Sequence, residues 1–388
     1  MNKLIHYLFH NPRIILVVTL FKLSPLFSDK VYLKLLYYID FGKKLNLKNP
    51  LTFNEKLQWL KLYDRRPEYT MMVDKLLVKD YVAKVLGEEY IIPTLGVWDS
   101  PDDMDIDSLP DQFVLKCNHD SGSICICHDK RTFDFEGAKR KLKKALKQNM
   151  YWRGREWPYR NVVRKVFAEK LMVENEESVA TTKRLDDYKI FCFDGKPYML
   201  FVASDRAHKV CFDYYDMDLK HLDLRQGADN FNGIVKLPKQ FEKMKELAAK
   251  ISAGIPQVRT DFYEIKGKVY FGELTFFDSS GFAKFDPESW DEKLGQLIVL
   301  PPPYSGYVIL NEGFVVTVRP NTISKSEYLR DYEFYCFKGS PQYCQVISNR
   351  DIDEEIDFFD MNWDRIDGMV DLVGFSSKIH NNQINGIL

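Results

Sequence analysis

Apolar residues never run far enough in this chain to suggest a membrane span. Ile14 to Leu20 falls far short of the roughly 20 residues a spanning helix needs, and no small-residue cleavage site follows it, so no export is implied. With Phe21 and Leu26 the segment could still touch a membrane interface, the alternative being a packed N-terminal helix. Cysteine is sparse too. The seven, at 117, 125, 127, 192, 211, 336 and 344, are odd in number and form no CxxC, which argues against a disulfide framework and for a reduced, cytoplasmic chain. Cys117, His119, Cys125, Cys127 and His128 crowd one stretch, but CxCH spacing suits a closed tetrahedral zinc site poorly. Neither sign of charge prevails: 55 basic and 56 acidic residues leave a net −1, so no nucleic-acid partner is implied. The basic run from Lys139 to Lys144 reads as the solvated face of a helix. GxxxxGK[ST] is absent, as are Gly-x-Ser-x-Gly and any Ser-His-Asp signature, which removes the Walker loop and the serine nucleophile as explanations.

What remains is a 388-residue chain, 45% hydrophobic, long enough for two or three structural units. Thr52-Phe-Asn-Glu55 has capping-box spacing before Leu57, Trp59, Leu60 and Leu62 and marks a helix start. A second helix is expected from Met71 to Leu86, ending at Gly87, with Lys75, Lys79 and Lys84 on its wet side. Gln112-Phe-Val-Leu-Lys116 reads as a buried strand ending in a lysine. The polar turn Asn118-His-Asp-Ser-Gly-Ser123 follows it. A lysine at a strand end beside a small-residue loop can cradle phosphate, although a plain hairpin turn reads the same way.

The most chemical stretch is a pair of segments, Val258-Arg-Thr-Asp-Phe-Tyr263 and Val269-Tyr-Phe-Gly-Glu-Leu-Thr275, rich in β-branched and aromatic residues and joined by Lys266-Gly-Lys268. They read as a β-hairpin. A three-residue loop would set Asp261 opposite Glu273 and Arg259 opposite Thr275, whereas a two-residue loop would slip the register and separate the carboxylates. Three residues are expected. Facing carboxylates repel unless a cation sits between them, and oxygen ligands beside an arginine suit Mg²⁺ carrying phosphates; the alternative is an exposed hairpin with ordinary surface charges.

In order, the chain offers a lysine strand, a small loop, the strand Val166-Phe-Ala-Glu-Lys-Leu-Met-Val173, the hairpin Asp187-Tyr-Lys-Ile-Phe-Cys-Phe-Asp-Gly-Lys-Pro197, and finally the Arg/Asp/Glu hairpin. Together with Leu51-Thr-Phe-Asn-Glu-Lys-Leu-Gln-Trp59, this order over residues 30 to 298 resembles the TupA-like branch of the ATP-grasp family, from bacterial surface-polysaccharide gene clusters. The resemblance implies an α+β fold whose two subdomains close on ATP and Mg²⁺. By the same likeness Lys116 contacts phosphate, Ser121, Gly122 and Ser123 form the phosphate-covering loop, and Glu169, Lys170 and Leu171 form the adenine-binding hinge. Glu176 binds ribose and Lys189 touches the triphosphate. Asp261 and Glu273 are the implied metal carboxylates, and Thr275, whose hydroxyl is the poorer ligand, stands where many relatives place asparagine. Arg259 stabilises the transferring phosphoryl group. Ser279, Ser280 and Gly281 lie in the acceptor loop, and Arg206 is carried over as a contact for an acidic substrate, a surface ion pair being the alternative.

The implied reaction is carboxylate–amine ligation through an acyl phosphate, joining a small-molecule or saccharide carboxylate to an amine donor. It rests on positioning and charge stabilisation. A nucleotide-sugar glycosyltransferase is the rival, because Asp216-Met-Asp218 and Asp105-Ile-Asp107 are DxD-like; an inactive scaffold is the third reading.

Three regions are expected: a helical segment over 1–50, a catalytic region over 51–300, and a tail over 301–388 that follows the linker Pro301-Pro-Pro303 and partly repeats residues 166–224. Asp331-Tyr-Glu-Phe-Tyr-Cys-Phe-Lys-Gly-Ser-Pro341 repeats Asp187 to Pro197 at an offset of 144, and Asp357 to Met361 repeats Asp213 to Met217. Ile309-Leu-Asn-Glu312 aligns with Val166 to Glu169 at 143. Gly313 and Glu333 replace Lys170 and Lys189 there, so the copy should hold a triphosphate poorly. No second Arg-x-Asp…Glu hairpin follows, which leaves an expected exposed edge.

Overall fold

The structure, a computed structural model, describes residues 12–173, 187–204 and 210–302, and strands within 314–360. Glu176, Arg206 and the stretch 309–312 lie outside the described residues. The chain divides after Pro303 into two compact units.

The first unit opens with helices α1 (Pro12–Lys22), α2 (Asp29–Phe41), α3 (Phe53–Tyr63), α4 (Glu68–Val73) and α5 (Leu77–Val85). None of the described helices is long and apolar enough to cross a membrane. The capping box at Thr52 forms: its side chain accepts from the Glu55 amide at 3.2 Å while the Glu55 carboxylate accepts from the Thr52 amide. The single helix expected from Met71 to Leu86 does not form. Asp74 interrupts it, its Oδ1 accepting from the Leu76 and Leu77 amides at 2.8 and 3.3 Å. Its Oδ2 accepts from the Asn118 side chain at 2.7 Å. A side chain that caps a new helix start competes with the continuing one.

Strands β1 (Thr94–Trp98), β2 (Phe113–Cys117), β3 (Cys125–Cys127) and β4 (Val166–Lys170) make an antiparallel sheet in the order β1-β4-β2-β3. Helix α6 (Phe135–Leu146) buries Ala138 and Leu142 among Phe113, Leu115, Val166 and Ala168, and α7 (Tyr151–Gly154) follows it. The next residue, Arg155, is left-handed at φ 55° and buried. It donates to the Ser24 carbonyl at 2.6 Å and lies 3.3 Å from Asp29, fixing this segment to the N-terminal helices.

A second antiparallel sheet, in the order β10-β9-β5-β6-β7, uses β5 (Asp187–Phe193), β6 (Lys196–Ser204), β7 (Cys211–Tyr215), β9 (Val258–Ile265) and β10 (Lys268–Thr275); β8 (Arg225–Gln226) pairs with β11 (Phe285–Asp286). Helix α8 (Phe241–Ile251) packs Leu247, Ala248 and Ile251 into the same core as Ile190 and Phe191, and α3 adds Phe53, Leu57 and Leu60. Helix α9 (Ser289–Leu297) meets α3, and the Asn54 amide donates to Asp291 at 2.9 Å. The helix announced by the capping box is therefore part of the unit's main core.

The β9–β10 hairpin corrects one expectation and keeps its consequence. Its turn is two residues, Lys266 and Gly267, with φ of 52° and 74°, the conformation that two-residue hairpins prefer. Left alone, that turn would separate Asp261 from Glu273. A register shift between Phe271 and Glu273 reverses the slip, so Glu273 pairs with Asp261 and Thr275 with Arg259. The residue at the shift is Gly272, where an added Cβ would lie 3.0 Å from the Asp261 carbonyl.

The second unit is a sheet in the order β12-β13-β14-β15, from β12 (Phe314–Val318), β13 (Asp331–Phe337), β14 (Ser340–Ser348) and β15 (Glu355–Asp360). Its pairing repeats the first unit's register. Tyr332 opposite Val346 and Cys336 opposite Pro341 match Tyr188 opposite Val202 and Cys192 opposite Pro197, with the same irregularity between them. Cys344 opposite Phe359 matches Leu200 opposite Tyr215. The position of β9 is not vacant in the copy. β12 fills it from upstream, setting Val315 where Arg259 stands and Thr317 where Asp261 stands.

Candidate functional site

The β5–β9–β10 register sets Lys189, Asp261 and Glu273 side by side across three strands, and β2 and β4 set Lys116 and Glu169 on the other sheet. These residues and Ser121 line one cavity of about 220 Å³. The structure thus brings together most of the predicted phosphate and metal residues, from segments far apart in sequence.

It adds four residues that sequence reasoning missed as site residues. Lys75 and Lys79, expected on a wet helix face, line the cavity instead, as do Asp187 and Tyr263. The break at Asp74 releases Lys75 from the helix, and its Nζ lies 3.3 Å from Glu273 Oε2. Lys79 Nζ lies 2.5 Å from Glu169 Oε1, and Lys116 pairs with the other oxygen. Burial pushes the Glu169 carboxyl up, but the two ammonium groups outweigh it and hold it below its ordinary range. Lys79 itself is lowered, because burial prevails over the attraction of Glu169.

On the hairpin, Arg259 Nε and Nη2 donate to the two oxygens of Asp261 at 2.8 and 2.9 Å, a bidentate pair. Nη2 also donates to Thr275 Oγ1 at 3.1 Å, and Nη1 to Asp278. Lys189 donates to Asp261 at 2.6 Å and also pairs with Asp187. Burial opposes charge on Glu273, yet Lys75, Lys189 and Arg259 bring its pKa down to about 2. The cations that facing carboxylates require are thus basic side chains here. Asp261, Glu273 and the Thr275 hydroxyl are the oxygen donors available to a Mg²⁺, which would have to displace Arg259 and Lys189 from Asp261 and Arg259 from Thr275.

The remaining predicted residues sit as follows. Glu169 reaches the cavity through its side chain, while Lys170 and Leu171 do not line it. The Ser123 hydroxyl is engaged in its own turn, accepting from the Cys117 amide at 2.8 Å and donating to Asp120 at 2.5 Å. A Cβ added at Gly122 would meet the Asp120 carboxylate at 4.0 Å, an ordinary contact. Ser279 and Ser280 both have left-handed backbones, φ 48° and 56°, an uncommon conformation for serine. Their loop is fastened at Asp278, Ser280 and Gly281. Asp278 holds Arg259, Ser280 Oγ donates to Glu156 at 2.5 Å, and Lys61 and Gln58 of α3 donate to the carbonyls of Ser280 and Gly281 at 2.6 and 2.7 Å. Lys61 is wholly buried, and burial lowers its pKa to about 7, with Glu156 opposing.

In each rival motif the first aspartate is engaged with backbone amides of its own loop. Asp216 Oδ1 accepts from the Asp218 and Lys220 amides, both at 2.9 Å, and Asp105 Oδ1 from the Ser108 amide at 3.3 Å. Each carboxylate closes a turn. Among the candidate zinc ligands, Cys117 and Cys127 are buried in the first sheet's core and His119 Nε2 contacts the Ala145 and Gln148 carbonyls.

Among curated proteins no match to the chain was found. Solved structures give local likenesses only. A D-alanine–D-alanine ligase from Bacillus anthracis is 16% identical over 53% of this chain and 57% of its own, with a TM-score of 0.31. The corresponding ligase from Helicobacter pylori is 18% identical over 64% and 69%, with a TM-score of 0.33. The ATP-grasp ligase PsnB, solved with a precursor variant, Mg and ADP, is 9% identical over 57% and 58%, also at 0.33. The chain thus spans 57% of the length of the Bacillus anthracis enzyme. A family profile described as TupA-like ATPgrasp matches residues 55–299. That match takes in most of α3, the three sheets of the first unit and with them the Arg/Asp/Glu hairpin, and the chain belongs to the TupA-like ATP-grasp family.

Proposed function

We propose that the first unit is a Mg·ATP-dependent carboxylate–amine ligase. The observation that carries this reading is the single cavity that Lys75, Lys79, Lys116 and Lys189 line together, Lys75 and Lys189 held by Glu273 and Asp261 and the other two by Glu169. The four ammonium groups can turn from their carboxylate partners to the oxygens of a triphosphate, and Asp261 and Glu273 suit a hard cation that travels with it. A substrate carboxylate oxygen attacks the γ-phosphorus and ADP leaves. An amine then attacks the acyl carbon, phosphate leaves, and the amine gives up a proton.

Within that reaction the chain's residues act mainly by position. Lys116 and Lys189 neutralise phosphate oxygens, Arg259 stabilises charge on the phosphoryl group in flight, and Asp261, Glu273 and Thr275 would hold Mg²⁺. Ser121 and Gly122 belong to the loop over the phosphates, and the 279–281 loop presents the acceptor. A role in surface-polysaccharide biosynthesis is part of the same reading. So is work at the inner face of a membrane, supported by the exposed Leu16, Phe21 and Leu26 of the N-terminal segment.

Thermal shift tests the reading, since a ligand that binds only the native state raises the melting temperature. Mg·ATP should stabilise the chain where UDP- and GDP-sugars do not. Stabilisation by a sugar nucleotide alone would overturn the ligase in favour of a glycosyltransferase.

A further inference from the structure

A second cavity, of about 290 Å³, shares only Ser121 with the nucleotide cavity. Its walls are the 120–123 loop, the end of α6 and the segment from Gln148 to Arg153. Three cations line it, Lys141, Lys144 and Arg153, against one carboxylate, Asp120. Asp120 already accepts from Ser123. Lys141 donates to the Ile124 carbonyl at 2.8 Å and Arg153 to the Gln148 amide oxygen at 2.9 Å. Among the described residues none of the three has a carboxylate within ion-pair distance. Their neighbours on α6 behave differently, Lys143 lying 2.7 Å from Asp102 and Lys139 3.8 Å from Glu136. Within the basic run Lys139 and Lys143 are paired with carboxylates, whereas the exposed Lys141 and Lys144 line the cavity without one.

Its position gives that charge a purpose. One wall is the loop that also borders the nucleotide cavity. The other continues into Gly154, where an added Cβ would fall 1.9 Å from Ser280 Oγ, and into Glu156, which accepts from that hydroxyl. The cavity thus lies between the loop assigned to phosphate and the segment that abuts the 278–281 loop. The four lysines of the nucleotide cavity share it with four carboxylates, Glu169, Asp187, Asp261 and Glu273, whereas the three cations here face one, so this cavity carries the larger excess of positive charge and suits an anion of its own.

We propose that this cavity receives a second anionic group of the acceptor, so that the substrate is a compact di- or tricarboxylate rather than a monocarboxylate. Calling that ligand the acceptor rests on the ligase reading; its binding does not. The volume is at the small end for ligand pockets and suits a small molecule better than a polymer.

The test is calorimetric titration of the full chain with propionate, glutarate and tricarballylate at fixed ionic strength, with Mg·ATP stabilisation measured in parallel. Tricarballylate is expected to bind at least about tenfold more tightly than propionate. The double variant Lys144→Glu, Arg153→Glu should lose that preference while keeping its melting temperature and its response to Mg·ATP. Lys141→Gln provides a milder version should charge reversal unfold the segment. Equal affinity for the three acids, or an unchanged preference in both variants, would overturn the proposal. So would a variant that lost Mg·ATP but kept tricarballylate, because the cavity would then belong to the triphosphate. If wild-type chain preferred tricarballylate yet ignored Mg·ATP, the ligase reading would fall and the anion site would stand.

Discussion

At the scale of single residues, Asp261 carries the most obligations, pairing with Arg259, Lys189 and, across the strand, Glu273. Asp261→Asn keeps the shape and removes the charge, so ATP turnover should fall at least about a hundredfold, as when other phosphoryl-site charges are removed, with the fold intact by circular dichroism. Lys61 gives a prediction in pH. Its folded pKa, about 7, lies below the unfolded value of an ordinary lysine, so the unfolded chain binds more protons between about pH 7 and 10.4 and stability rises with pH across that window. Glu156, the carboxylate facing it, is raised by burial and matters chiefly at lower pH. Lys61→Met should flatten the rise in melting temperature from pH 7 to 10; an unchanged slope would contradict a buried, depressed lysine. These two residues also mark what could be read from sequence. Asp261 stood in a strand with a telling Arg-x-Asp pattern, whereas Lys61 looked like one more charge on an amphipathic helix. Only the approach of the 278–281 loop makes it a site residue.

At the scale of elements, the β9–β10 hairpin was legible from its β-branched and aromatic composition and its Lys-Gly turn. Its irregularity was not. A lone glycine in a strand signals a bulge, a bend or a close approach without saying which, and Gly272 proves to be the bulge that restores the carboxylate pair. Gly272→Val would crowd the Asp261 carbonyl and Tyr263, at a cost of about 1–3 kcal/mol typical of overpacking. Loss of Mg·ATP stabilisation in a variant that still melts cooperatively would tie the bulge to the site. The α4–α5 break escaped sequence reading for a related reason. Apolar spacing across residues 71–86 is helical throughout, and the feature that ends the helix is a side-chain cap at Asp74 held by Asn118, from β2's following loop. Periodicity reports which face is apolar and is silent on tertiary caps.

At the scale of the whole molecule, the duplication was visible from identical words at a constant offset, and the register of the two sheets repeats it pair by pair. The strand that stands in for β9 was not visible, because Phe314-Val-Val-Thr-Val318 shares no motif with Val258-Arg-Thr-Asp-Phe262 and lies on the other side of the repeat. With valine and threonine at the Arg259 and Asp261 positions, the second unit lacks the groups that would meet phosphate and metal at this strand. A chain truncated after Pro303 should therefore keep its full Mg·ATP shift in melting temperature. A soluble truncated chain without that shift would assign the tail a part in the site.

That replacement strand has a kinetic meaning as well. In the first unit β5 must find β9 across a helix and more than one intervening strand, so its sheet closes through distant contacts. In the second, β12 to β15 pair only with their neighbours along the chain, a simple meander. Sheets assembled from local hairpins nucleate sooner than those that wait for loop closure. In taking its fourth strand from immediately upstream, the copy exchanged the chemistry of β9 for a shorter search, and refolding from denaturant should protect its amides before those of the sheet it duplicates.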